Sequence, residues 1–256
     1  MTRIGYAGEP DPTLNTLCGL QEAHLLTVPF ENLDISAGRK ISLEPNSLFQ
    51  KIVLENRGGF CYELNGLFHV LLKEIGYDVM LLMGRVYDRN HEAYGRDFDH
   101  MLILAEVERE GWIVDVGFGD FSLHPLRFTL DQPLTDRNGE FLIERHDREY
   151  FRISRLTPST NRFSPEYLFS LRECSLSDFA EMCLYHQTSP ESHFTTQRIC
   201  SLATPAGRMT LTDSKLILTV NGTREEIMIR GESEFAEALR RHFKIVLGNK
   251  DLPRSS

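Results

Sequence analysis

Arg57-Gly58-Gly59-Phe60-Cys61 is the run whose residue types and order point to chemistry. Cys61 opens a strongly patterned helical stretch. A thiol in the first turn of a helix meets unpaired N–H groups and the positive end of the dipole, and both favour the nucleophilic thiolate. Gly58-Gly59 permits a sharp turn into that helix. A catalytic cysteine needs a base to take its proton and return it to a leaving group. Among the nine histidines, His100 opens the apolar run Met101–Leu104, just after Asp97 and Asp99. His69 lies two turns along the Cys61 helix and cannot reach the thiol, whereas His24, His186 and His193 stay open. Asp115 sits inside the apolar run Trp112–Val116. A carboxylate there must be paired or hydrogen-bonded, so it is a candidate to orient an imidazole. The bland alternatives carry weight: most free cysteines are inert core residues, and a lone strand histidine is usually structural.

Gly117-Phe118-Gly119 follows Asp115 directly. It lacks the lysine of a phosphate loop and the spacing of a dinucleotide fingerprint. Two glycines still let backbone approach a ligand, and Phe118 between them can offer a ring face to a planar substrate. The competing reading is a turn with one exposed aromatic. Cys183-x-x-His186 offers only two metal ligands, both on an apolar helical face with no Cys-x-x-Cys, so no metal site is expected. Cys18, Cys174, Cys183 and Cys200 read as core thiols.

The elements that must position these residues fall into three parts. Up to about residue 83 the pattern is helical. Leu14, Leu17, Cys18 and Leu25 share one face, and Leu48 and Ile52 continue the spacing. Leu64, Leu67, Phe68, Leu71, Leu72 and Ile75 then form the stripe of a core-packed helix, with Gly76 placed to end it. From about 84 to 175 short β-rich runs follow: 79–86, 98–107, 112–116, 141–144 and 150–154. Successive antiparallel strands suggest a barrel or sandwich. A turn through Arg109-Glu110-Gly111 places Asp115 across from residues 104–106, which does not establish contact with His100. In the last part, 177–186 reads as a helix, Asn221-Gly222 as a hairpin turn, 232–247 as a helix, and 251–256 as a frayed tail.

Composition bounds the function. The chain has 256 residues and a formal charge of −9. An acidic chain is a poor general binder of nucleic acid. No apolar run approaches the ~18 residues of a membrane span, and the first residues show no secretory signal. Five widely spaced cysteines argue against a disulfide scaffold and for a reducing, cytoplasmic setting.

Five segments, in order, resemble the arylamine N-acetyltransferases. They are Val28-Pro29-Phe30-Glu31-Asn32-Leu33, Arg57 through Asn65, Asp99-His100-Met101, Val114 through Gly119, and His186-Gln187-Thr188-Ser189-Pro190 with Ser192 and Phe194. The length is similar to that of bacterial members. The resemblance implies an α+β, papain-like (cysteine-proteinase-like) fold. A helical domain, 1–83, would carry Cys61; a β-barrel domain, 84–188, would carry His100 and Asp115; and 189–256 would form an α/β lid. It implies a Cys61–His100–Asp115 triad and side-by-side placement of its last two members. It implies a wall of Phe30, Phe118 and Phe194 around the thiol, and a Glu31–Arg57 pair that ties the loop before the cysteine to the first domain.

The implied activity is acetyl transfer from acetyl-CoA to arylamines and hydrazines, in xenobiotic metabolism, by a ping-pong path through acetyl-Cys61. Acetyl-CoA is then a co-substrate, with no permanently bound cofactor. Candidates for its pyrophosphate are Gly117, Phe118 and Gly119, and the run Thr188–Ser192 with Ser189. The expected partners are these small molecules alone, with no nucleic acid and no membrane, for a monomer or weak homo-oligomer. Three rivals remain: an amide synthase of the same family that closes a polyketide macrolactam, a papain-like hydrolase or transglutaminase, and a scaffold without activity.

Overall fold

Helices come first because the apolar spacing and the capping residues agree. In the computed structural model, which describes residues 1–248, Thr13 caps the first long helix, α1 (Leu14–Thr27), by accepting from the Thr16 N–H at 3.2 Å. The two-residue strand β1 (Phe30–Glu31), the short helices α2 (Leu33–Ser36) and α3 (Pro45–Phe49), and a π-helical turn over Gln50–Leu54 follow. The second helical segment thus runs without a break from α3 into the wider π turn, with Phe49 and Gln50 both in the right-handed helical conformation. Helix α4 (Cys61–Ile75) starts and stops where the sequence pattern places it. At its start the Glu63 carboxylate accepts from the Phe60 N–H at 3.2 Å. At its end Gly76 takes φ 104°, a conformation that favours glycine. Leu64, Phe68 and Leu72 are fully covered.

The barrel packs its outer face against α4, through β4 and β2. Strand β2 (Asp78–Asp88) is central; β3 (Ala93–Tyr94) folds back on its end, and β4 (His100–Val107), β5 (Glu110–Val114) and β6 (Leu126–Arg127) extend to one side. β7 (Pro133–Asp136), β8 (Gly139–Arg145), β9 (Tyr150–Thr157) and β10 (Arg162–Ser170) meander back to the other side of β2. β6 returns close to β7, so the antiparallel sheet is nearly closed. One face of β4 packs on α4 through Met101, Ile103 and Ala105. The other puts Leu102 into the barrel interior with Ile113, Phe141, Ile153, Tyr167 and Phe169.

After a 3₁₀ turn (Leu176–Phe179), helices α5 (Ala180–Thr188) and α6 (His193–Thr196) lead into a second antiparallel sheet. Its strands are β11 (Ile199–Thr204), β12 (Gly207–Thr212), β13 (Lys215–Val220) and β14 (Thr223–Met228), followed by α7 (Glu232–Ala238). The turn Asn221-Gly222 has positive φ at both residues, as its sequence predicts. The inner edge of this sheet is β1, which pairs antiparallel with β11 through Phe30↔Ser201 and Glu31↔Cys200. Phe30 also bridges Gly59, so the loop before Cys61 is anchored to both.

Three sequence expectations change. The β4–β5 turn is Glu108-Arg109, both at positive φ, and Val107 pairs with Glu110. Gly111 lies in the strand, packed against Leu104 and Phe128. Strand β10 was hidden by Pro165, which sits at a register shift between Pro165 and Tyr167. The helix expected over 232–247 ends early: α7 passes into a π-helical turn (Leu239–Phe243), and Lys244 at φ 61° stops it. The expected frayed tail, 251–256, lies outside the described residues. Among those residues no helix is long and apolar enough to cross a membrane.

Candidate active site

The hairpin register brings the histidine and the aspartate together. Ile103 pairs with Val114, so Asp115 comes opposite Leu102 and diagonal to His100 on the same face. The earlier turn supplies the contact that a turn at Gly111 could not. His100 Nε2 lies 2.7 Å from Asp115 Oδ2, with both side chains buried. The other Asp115 oxygen accepts from Asn65 Nδ2 and from the Gly117 N–H, each at 2.9 Å. The Tyr167 hydroxyl, from β10, donates to Oδ2 at 3.2 Å. Burial and Asp115 push the Tyr167 phenol well up, so it remains a donor. Both oxygens of the buried carboxylate thus have hydrogen-bond partners.

Asn65 fixes the thiol's helix to this pair. It lies one turn beyond Cys61 on α4. Its amide donates to Met101 O at 2.6 Å and accepts from the Val116 N–H at 2.9 Å. Gly117 completes the join. A Cβ there would lie 2.8 Å from Cys61 Cα and 3.0 Å from Cys61 O. Those are backbone atoms that cannot yield. Gly117→Ala must push the loop, with Asp115 and Phe118, away from the thiol. Cys61-dependent turnover is expected to fall about 100-fold, since a shift near 1 Å has effects of that order. Steady-state turnover beside a melting curve checks this; near-normal turnover would show that the loop absorbs the methyl.

The thiol's environment differs from the expectation built on the helix end alone. Cys61 is buried, and desolvation pushes its thiol well above the ordinary value, with the Asp99 carboxylate adding to the effect. A buried thiolate is costly unless a positive group stands beside it. Cys61 and His100 line one cavity of about 770 Å³ together with Phe30, Gly117, Phe118, Gly119 and Phe194. Phe118 meets the His100 ring edge-on at 5.2 Å, and Phe30 and Phe194 lie 6.1 Å apart. Arg89, Arg96 and Arg208 also line it.

Below the cavity a charged cluster holds the loop before Cys61. Arg57 Nε donates to Glu31 Oε1 at 3.0 Å, and its guanidinium reaches Asp34 Oδ1 at 3.0 Å. Lys51 contacts Asp34 and Glu63, each at 2.8 Å. Burial works against the Lys51 charge, but Glu31, Glu63 and Asp34 more than offset it. Removing one partner of such a buried network typically costs about 3–5 kcal/mol. Gly58 and Gly59 are needed here for close approach. Cβ atoms would lie 2.0 Å from Pro29 O and 2.7 Å from Glu63 Cβ, respectively.

The remaining candidates are distributed as follows. His24 is buried edge-on to Phe68 and kept neutral, its pKa lowered by burial to about 3. His186 bridges Asp99 and Ser192 on the cavity wall, and His193 packs on Phe194 at 3.9 Å. The Cys183 thiol accepts from Gln187 Nε2 at 3.3 Å. Thr188 is exposed, with its hydroxyl on Leu184 O at 2.8 Å, and the Ser189 hydroxyl accepts from the Glu191 N–H. Neither lies in the cavity lining, whereas Ser192 does. Asn65, Tyr167, Lys51 and Asp34 take roles at the site that the sequence does not assign them. Of these only Asn65 carried a local signal, its i+4 spacing from Cys61.

The family model for N-acetyltransferase matches residues 13–252. Among curated relatives, an arylamine N-acetyltransferase, the pineal gland isozyme of Gallus gallus, is 35% identical, and the match covers 98% of this chain and 94% of that one. The solved arylamine N-acetyltransferase from Salmonella typhimurium superposes with a TM-score of 0.90 at 30% identity, over 95% of this chain and 89% of that one. The arylamine N-acetyltransferase of Mycobacterium marinum, solved in complex with CoA, superposes with a TM-score of 0.87 at 27% identity, over 95% and 90%. These likenesses bear out the expected α+β, papain-like fold.

Proposed function

This chain belongs to the arylamine N-acetyltransferase family, a family of transferases, and from that premise we propose that it moves an acetyl group from acetyl-CoA to arylamines and hydrazines through an acetyl-Cys61 intermediate. The observation that carries this reading is the His100–Asp115 couple, 2.7 Å long, on the same aromatic-walled cavity as Cys61. The CoA complex of the Mycobacterium marinum relative supports the choice of donor.

In the first half-reaction Cys61 loses its proton to His100, whose Nε2–H is held by Asp115 so that Nδ1 takes the proton. The thiolate attacks the thioester carbonyl, and the tetrahedral oxyanion faces the Cys61 N–H at the start of α4. Collapse breaks the carbonyl–sulfur bond to CoA, and His100 returns the proton to the departing thiolate. Acetyl-Cys61 remains. In the second half an arylamine nitrogen, neutral at pH 7, attacks the new thioester. His100 takes the amine proton and returns it to Cys61 as the acetamide leaves. Phe30, Phe118 and Phe194 favour a planar ring. Arg89, Arg96 and Arg208, with the Gly117–Gly119 backbone, are the groups on the cavity able to meet CoA phosphates on an otherwise acidic chain.

Incubation with acetyl-CoA alone should yield one acetyl group, mapped to Cys61 by mass spectrometry. Added aniline or arylhydrazine should then discharge it with one thiol released per amide formed. An unmodified Cys61 would sink the proposal. An adduct that water discharges as fast as the amine would point to a hydrolase instead.

A further inference from the structure

A second hydrogen-bonded chain reaches the same cavity, and the proposed reaction does not use it. His186 Nε2 lies 3.1 Å from Asp99 Oδ1, and His186 Nδ1 lies 3.0 Å from Ser192 Oγ. His186 and Ser192 are buried, and all three residues line the cavity. The outer Asp99 oxygen accepts from the Val86 N–H at 3.3 Å. The Ser192 hydroxyl accepts from the Phe194 N–H at 3.3 Å, and Asn32 Nδ2 donates to Phe194 O at 3.0 Å. The backbone of Phe194 is therefore clamped on both sides. Its ring stands edge-on to His186 at 5.2 Å and to Phe60 at 5.7 Å, over the start of the Cys61 helix.

We infer that His186 is a positioning residue for the amine acceptor, holding Phe194 against the reactive thiol through Ser192 while Asp99 fixes its tautomer. With Nε2–H given to Asp99, Nδ1 accepts from the Ser192 O–H, and the serine lone pair is turned to the Phe194 N–H. Although the order is that of a Ser–His–Asp triad, the serine is engaged at both ends as a cap. It transmits position and does not attack. The acceptor half feels this most. Acetyl-CoA carries binding groups far from its acetyl carbon, whereas an arylamine has little besides its ring to hold it beside Phe194.

The inference rests on the acetyl-transfer reading, and kinetics separate the two. In a ping-pong scheme kcat/KM for acetyl-CoA reports the first half-reaction alone, and kcat/KM for the amine reports the second. His186→Leu, which keeps bulk and loses both hydrogen bonds, is expected to lower kcat/KM for the amine about tenfold. The value for acetyl-CoA should stay within about twofold. His186→Asn, which can still accept from Ser192, should recover most of the loss, whereas His186→Gln, which reaches towards Asp99 instead, should not. Equal losses in both halves, no loss, or equal behaviour of Asn and Gln would overturn the inference. A second measurement needs no acetyl transfer: Cys61 alkylation by N-phenyl iodoacetamide relative to iodoacetamide. Wild type should prefer the aromatic reagent and His186→Leu should lose that preference. An unchanged ratio would overturn the inference even if acetyl-CoA proves not to be the donor.

Discussion

Cys61→Ala is expected to abolish acetyl transfer, lowering kcat by about 10⁴–10⁶-fold, the scale seen when a nucleophile acting as part of a unit is removed. No other thiol can stand in. Cys174, Cys183 and Cys200 are buried, and burial pushes each of their thiols up, Cys183 to about 12. Cys18 lies on α1, where burial and the nearby Asp136 and Glu22 disfavour its thiolate. None of the four lines the cavity with His100. Cys61→Ser should be almost as inactive. In the proposed mechanism the nucleophile gives its proton to His100 in a place where burial already opposes charge, and an alcohol is a far weaker acid than a thiol. The fold should survive either change. Removing one buried sulfur costs about 1 kcal/mol of apolar burial, so the melting transition should move only a few degrees. Thiol release with acetyl-CoA and an aniline, beside thermal unfolding, measures both. Turnover by the alanine variant within tenfold of wild type would place the nucleophile elsewhere.

How far this site was legible in sequence depends on the range of each interaction. Helix α4 was legible because its stripe, its glycines and Cys61 are local signals that agree. The types His100 and Asp115 were legible for the same reason, since a charged or titratable residue in an apolar strand demands a partner. Their contact was not, because it hangs on one turn. Gly111 has the look of a turn residue, but its lack of a side chain serves packing against Leu104 and Phe128. Glu108 and Arg109 accept the left-handed conformation in its place. A shift of the turn moves the partner of Asp115 from the 104–106 region to Leu102, and with it the whole pair. Tyr167 was illegible because Pro165 disguises a strand that lies beside the central one. The roles of β1 and His186 come from contacts across more than 80 residues, Phe30 with Ser201 and His186 with Asp99, and no local pattern encodes such pairings.

Asp115→Asn should cost more than any substitution here except loss of the thiol, while leaving the fold in place. Oδ1 of Asp115 receives two donors, the Asn65 amide and the Gly117 N–H, and Oδ2 faces His100 Nε2. An asparagine must keep its oxygen toward the two donors, because the reverse orientation would set its NH₂ against both. Its nitrogen then faces His100 Nε2 and donates to it. That forces the imidazole proton onto Nδ1, the nitrogen that the proposed mechanism needs empty to accept from Cys61. The ring is held in place with the wrong tautomer, and Tyr167 remains beside it without restoring a negative charge. An analogous change in a Ser–His–Asp triad lowers kcat by about 10⁴-fold, and a fall of about 10³–10⁴ is expected here. The deficit should appear in both half-reactions, because the proposed mechanism uses His100 in both, in contrast to the acceptor-only deficit expected of His186→Leu. Asp115→Ala is a different test. It strands Asn65, Gly117 and Tyr167 as buried donors, each costing about 1–3 kcal/mol, so unfolding should dominate its phenotype. Rapid-quench measurement of Cys61 acetylation by Asp115→Asn, with Tyr167→Phe as a milder control that removes one hydrogen bond, decides the matter. Acetylation at near wild-type rate in the asparagine variant would mean that Asp115 holds the barrel end together and does not set the histidine's proton.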